Sequence, residues 1–112
     1  MSRGVGRPVE IRAFRGTRQA SVYRDFVLPG PAFVHILEAA ERQGLPLLMS
    51  LGRPGPQELD QAQARALAEE VTELRTSGEL PDLDDDLTSL AEAARWCAHA
   101  RREDGWLRVE WP

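Results

Sequence analysis

The chain predicts an α+β fold: a small mixed sheet of about four strands, in the order β-β-α-β-α-α-β, with three helices packed on one face. Three observations predict it. Two-residue periodicity occupies both ends of the sequence, and helical periodicity with capping signals occupies the middle. A length of 112 residues with 42% apolar content suffices for one two-layer core. A single domain over residues 1–112 is expected, with 1–7 flexible.

The first strand is "VEIRAFR" (9–15), where Val9, Ile11 and Ala13 alternate with Glu10 and Arg12. "GTRQ" supplies a turn, and the β-formers of "ASVYRDFVL" (20–28) make a second strand and a hairpin. Val22, Phe26 and Leu28 share one face with Arg24, Tyr23 and Val27 the other, and the pattern does not say which is buried. "PGP" (29–31) ends the strand and opens a helix, with Pro31 at its first position. Phe33, Ile36, Leu37 and Ala40 form the helix stripe, and Gly44 is placed for a left-handed cap before Pro46. "LPLLMSL" (45–51) predicts a buried strand from about Leu47, compatible with a right-handed parallel crossover from the second strand.

"GRPGPQEL" is a loop by composition. Asp60 with Gln63 forms a capping-box pattern for a helix lined by Ala64, Leu67, Val71 and Leu74 and ending near Gly78. A third helix is expected over about 84–102. "WLRVEW" (106–111) sets Leu107, Val109 and Trp111 opposite Trp106, Arg108 and Glu110, the pattern of a C-terminal strand. Strand order is left open.

All fourteen basic residues are arginine, which codon bias in a GC-rich genome explains better than selection for bidentate anion contacts. Residues 1–24 carry six arginines against Glu10, a net of +5, and the remainder carries −9, giving the overall −4. The body is therefore acidic with a basic edge. Phosphate-driven nucleic-acid binding fits that balance poorly, although arginines do interleave with Phe14 and Tyr23. No apolar run reaches the roughly 18 residues of a membrane span, and "MSRGVGRPVE" lacks the apolar stretch of a secretory signal. One cysteine agrees with a reducing, cytoplasmic setting.

"ELPDLDDDLTSL" (79–90) carries the strongest charge signal, with Glu79, Asp82, Asp84, Asp85 and Asp86. A calcium loop would need Gly and Glu where Leu87 and Ala93 stand, so no metal is expected. Leu83, Leu87, Leu90, Ala94 and Cys97 recur at helical spacing, which makes Asp82 or Asp84 the helix cap and places Asp85 and Asp86 in the first turn. One cap and one acid would suffice for that start. The remaining charge suits either a solvated helix end or a docking patch for a basic partner.

Catalytic signals are thin. His35 and His99 each fall inside a helix, and Cys97 lies two residues from His99, on a different helix face. Glu38 with Glu41 and Glu69 with Glu70 read as solvated helix faces. No nucleophile elbow, phosphate-binding glycine loop or paired Cys/His spacing occurs, and no cofactor or catalytic residue is assigned. Trp106 and Arg108 share one face of the last strand and belong to types enriched at binding hot spots. A terminal strand is often an edge strand, open to a partner or a second copy.

"EIRAFRGT", "PGPAFVHILEAAERQGLPLL" and "LDQAQARALAEEVTEL", spanning about residues 9–76, resemble segments of small proteins of GC-rich, actinobacterial-type bacteria. The resemblance implies a compact bacterial domain and brings no activity or residue roles. The expected function is that of a non-enzymatic protein-binding module, most concretely an immunity- or antitoxin-like protein acting on a basic partner. Its expected contacts are Glu79, Asp82, Asp84, Asp85, Asp86, Trp106 and Arg108. The alternatives are a subunit that self-assembles through its C-terminal strand, giving a homo-oligomer, and a small enzyme.

Overall fold

A computed structural model describes residues 8–15, 22–53, 55–98 and 105–111, with the backbone path alone for 13–15, 22–26, 105, 106 and 111. The strands are β1 (Val9–Arg15), β2 (Val22–Leu28), β3 (Gly55–Leu59) and β4 (Gly105–Trp111), and the helices α1 (Gly30–Gln43), α2 (Pro46–Ser50), α3 (Gln61–Ser77) and α4 (Asp84–Ala98). The α+β class and its four strands are as predicted. They form one sheet in the order β2-β1-β4-β3, and every pairing is antiparallel.

Alternation in the strands decides which face the helices cover. Val9, Ile11, Leu28, Leu59, Leu107 and Val109 are buried against them. The alternate positions Glu10, Val27 and Glu58 are exposed, so the helices lie on one face and the other stands open. Phe33 and Ile36 of α1, Leu67, Val71 and Leu74 of α3, and Leu87, Leu90 and Cys97 of α4 complete a single core. This is the stripe set that helical spacing anticipates, widened on α4 by Ala91, Ala93 and Ala98.

Local signals place the helix ends. Gly44 adopts φ 68°, and its N–H reaches the Glu41 carbonyl at 3.3 Å while Leu45 N–H reaches Ala40 at 2.9 Å, a complete Schellman motif. Asp60 accepts from Gln63 N–H at 2.8 Å and donates its own N–H to Gln63 Oε1 at 3.0 Å, closing the capping box. Pro31 stands at the second helical position, since α1 begins at Gly30.

Two expectations are corrected. "LPLLMSL" is not a strand: Pro46–Ser50 forms the short helix α2, because Pro46 preorganises a first turn and α3 supplies its cap. The third strand lies instead at Gly55–Leu59, inside the expected loop, and among the described residues no strand pairing is parallel, so the expected crossover is not formed. As an edge strand, β3 tolerates Pro56, which has no N–H to give the ladder. The sequence gives no register for the hairpin; in the structure it shifts between Ala13 and Phe14, so Phe14 pairs with Val22 and Tyr23 is bypassed. The end of the third helix beyond residue 98, the hairpin turn, the N-terminal segment and His99 lie outside the described residues.

Candidate protein-binding surface

The acidic segment connects α3 to α4, and two of its five acids are committed to arginines. Arg42 Nε, at the end of α1, donates to Glu79 Oε1 at 2.8 Å, and Gln43 Nε2 reaches Oε2 at 3.3 Å. Arg75, in the last turn of α3, grips Asp84 bidentately, Nε to Oδ1 at 2.7 Å and Nη2 to Oδ2 at 3.3 Å. These charge-assisted hydrogen bonds hold both the Glu79 and the Asp84 carboxyls below their ordinary values, against a smaller opposing effect of desolvation.

The other three acids are left over. Asp82 sits exposed in a 3-10 turn (Pro81–Leu83) that leads into α4, while Asp85 is exposed and Asp86 half-buried in the first helical turn. No hydrogen bond or ion pair joins Asp82, Asp85 or Asp86 to another described residue. Desolvation, reinforced by the neighbouring Asp85, pushes the Asp86 carboxyl above its ordinary value. The cap expected of Asp82 or Asp84 is corrected accordingly. Asp84 spends its carboxylate on Arg75, and the 3-10 turn brings the chain into the helix.

The second expected contact region is relocated. β4 is an interior strand, paired with β1 along Gly105–Glu110 and with β3 along Leu107–Trp111, so no open edge runs past Arg108. Arg108 stands on the helix-free face, 35% exposed, with Nη2 3.3 Å from Glu110 Oε1. Trp106 pairs with Phe14 in the ladder, and its side chain lies outside the described residues. The acids and Arg108 therefore belong to opposite layers and form no common site.

Glu70 has a role the sequence reading missed. Its two carboxylate oxygens accept from Leu47 N–H at 3.0 Å and Leu48 N–H at 2.8 Å, capping α2 from the middle of α3. Nothing local signals a partner 22 residues away.

A groove of about 550 Å³ runs between α3 and α4, lined by Arg65, Glu69, Thr72, Glu73 and Arg95 among others. Arg95 Nη2 donates to Thr72 Oγ1 at 2.8 Å there. His35 lies elsewhere, exposed, with Nδ1 3.4 Å from Glu38 Oε1. Cys97 is a buried free thiol within the core. Among the described residues, no group of three or more His, Cys, Asp or Glu is arranged to hold a metal ion, and no helix is long and apolar enough to cross a membrane. Against protein-family models, curated proteins and solved structures, the chain finds no match.

Proposed function

We propose that the chain is a non-enzymatic protein-binding module that presents the acidic start of α4 to a basic partner, in the manner of an immunity or antitoxin protein. One observation carries the reading. Asp82, Asp85 and Asp86 crowd one helix start with no cation of the described protein paired to them, while arginines already serve Glu79 and Asp84. Desolvation, with the Asp85 charge second, raises the Asp86 carboxyl, and an incoming Lys or Arg side chain would offset the Asp85 contribution. Helix-dipole stabilisation accounts for an acid or two in the first turn, where Asp85 and Asp86 stand, and leaves Asp82 of the preceding 3-10 turn outside its account. A cytoplasmic location belongs to the same proposal.

The contact residues then divide. Asp82, Asp85 and Asp86 meet the partner, whereas Glu79 and Asp84 shape the loop that displays them. Acids of this kind act mainly on the encounter rate, because exposed charge steers diffusion and is screened by salt. With the partner recovered from the native cell, the variant Asp82→Asn/Asp85→Asn/Asp86→Asn should associate roughly tenfold more slowly at low ionic strength. Its association rate should also change less with added salt. Equal rates and equal salt slopes for variant and wild type would reduce the three aspartates to an ordinary solvated helix end.

A further inference from the structure

Three contacts set α3 and α4 side by side in opposite directions. Gln61 Nε2 reaches the Ala98 carbonyl at 3.0 Å, Arg95 Nη2 reaches Thr72 Oγ1 at 2.8 Å, and Arg75 Nε reaches Asp84 Oδ1 at 2.7 Å. The groove of about 550 Å³ lies over the part of the pair that holds Arg65 and Ala98, with the buried methyls of Ala68 and Ala98 in its floor. Its charges are not matched to one another. Along α3 the order is Arg65, Glu69, Thr72, Glu73, and Arg95 crosses from α4 to Thr72, which stands between the two glutamates. Arg95 donates to that neutral hydroxyl and to neither carboxylate. Arg65 has only the Ala98 carbonyl, at a long 3.5 Å. No hydrogen bond or ion pair joins Glu69 or Glu73 to another described residue.

Two guanidiniums and two carboxylates thus line one groove without forming an ion pair inside it. Each guanidinium spends one of its five N–H groups. Glu69 and Glu73 also stand at i,i+4 on the helix, a spacing at which like charges repel and a cation between them is favoured. A ligand of one sign suits this lining poorly, because an anion meets the glutamates and a cation meets the arginines. A molecule with one charge of each sign, set apart along its length, suits both. The planar fork of arginine matches a carboxylate, and a pair of carboxylates matches an ammonium.

We infer that the groove binds a short peptide as a zwitterion, its carboxylate held by Arg65 and Arg95 and its ammonium by Glu69 and Glu73. The dimensions set the length. Arg65 and Glu73 are eight positions apart in α3, about 12 Å along the axis, and an extended tripeptide spans about 10 Å. The volume falls within the roughly 300–1,000 Å³ of small-molecule sites. Exposed charge contacts over an apolar floor of two alanines put the dissociation constant on the order of 1 mM. The groove uses none of Asp82, Asp85 and Asp86, which stand at the other end of α4, so the inference stands or falls apart from the function proposed above.

Titrating tri-L-alanine into the intact, isotope-labelled protein, followed by amide NMR shifts, tests it. Saturable shifts should appear in α3 from Arg65 to Glu73 and in α4 from Arg95 to Ala98. Blocking either end of the peptide, as N-acetyl-tri-L-alanine or tri-L-alanine amide, should weaken binding about fivefold. Glu69→Gln/Glu73→Gln should erase the preference for the free amino end, and Arg95→Gln the preference for the free carboxylate. These side chains are exposed, so both variants should keep the wild-type melting curve. Absence of saturable shifts at roughly 20 mM peptide overturns the inference. So do shifts confined to other elements, or folded variants that keep both preferences. An acetylated peptide that binds wild type as tightly as the free one also overturns it, since the groove would then take the carboxyl end of any chain, and this arm decides even if a variant fails to fold.

Discussion

Asp84 and Asp86 stand two residues apart at the start of α4, yet their surroundings act on them in opposite directions. The Arg75 guanidinium holds the Asp84 carboxyl below its ordinary value, while desolvation and Asp85 push Asp86 above it. A carboxyl depressed by folding contributes stability above its unfolded pKa and gives it up as pH falls through the folded value. One raised by folding does the reverse: the folded chain holds the proton more tightly, so its contribution declines as pH rises through the ordinary aspartate range. Asp84→Asn should therefore lower the melting temperature at neutral pH, and its gap to wild type should close as pH falls through and below the ordinary aspartate range. Asp86→Asn should raise the melting temperature at neutral pH by roughly 1–3 °C, allowing for solvent screening, with no advantage left in acid. The helix dipole favours charge at this position, and the raised value says that desolvation and Asp85 outweigh it. A lower melting temperature for Asp86→Asn at neutral pH would contradict that ranking.

At the scale of elements, α2 shows what a cap from a distance does. Pro46 has no N–H, Met49 N–H reaches the Leu45 carbonyl at 3.1 Å, and the two remaining donors, Leu47 and Leu48, both point at Glu70. Glu70→Ala should cost about 1–2 kcal/mol, since it strands two partly buried donors. Urea denaturation of this variant beside the exposed control Glu69→Ala, which should change little, reads the difference. The same contact explains why this stretch is misread from sequence. Its apolar run fits a buried strand, and the carboxylate that makes a helix of it lies 23 and 22 positions away. β3 is hidden for a related reason, because glycine and two prolines look like a loop until the edge position makes Pro56 harmless. By contrast α1 and α3 are legible almost to the residue, since their signals at Pro31, Gly44, Asp60 and Gln63 act within one turn. The site follows the same rule. The aspartate run is visible in the sequence, but which of its members Arg42 and Arg75 consume depends on how three helices meet.

At the scale of the molecule, the sheet order ties the two ends of the chain together. β1 and β4 are the central strands, and β3 has β4 as its sole neighbour in the sheet. The last strand is thus the seam of the layer, which is why an edge role for it does not survive in the structure. A chain ending at Asp104 loses the β1–β4 and β4–β3 ladders together, along with fully buried Leu107 and nearly buried Val109. Burial of two such side chains is worth about 3–6 kcal/mol, before any hydrogen bond is counted. A domain of this kind has only about 5–15 kcal/mol in all. The truncated chain should accordingly lack a cooperative thermal transition, whatever helical signal α3 and α4 retain by circular dichroism. A sharp transition in that chain would mean that β2, β1 and the helices hold a core by themselves and that β4 joins it late. The predicted loss instead makes folding wait on the longest-range pairing in the chain, between strands nearly a whole sequence apart.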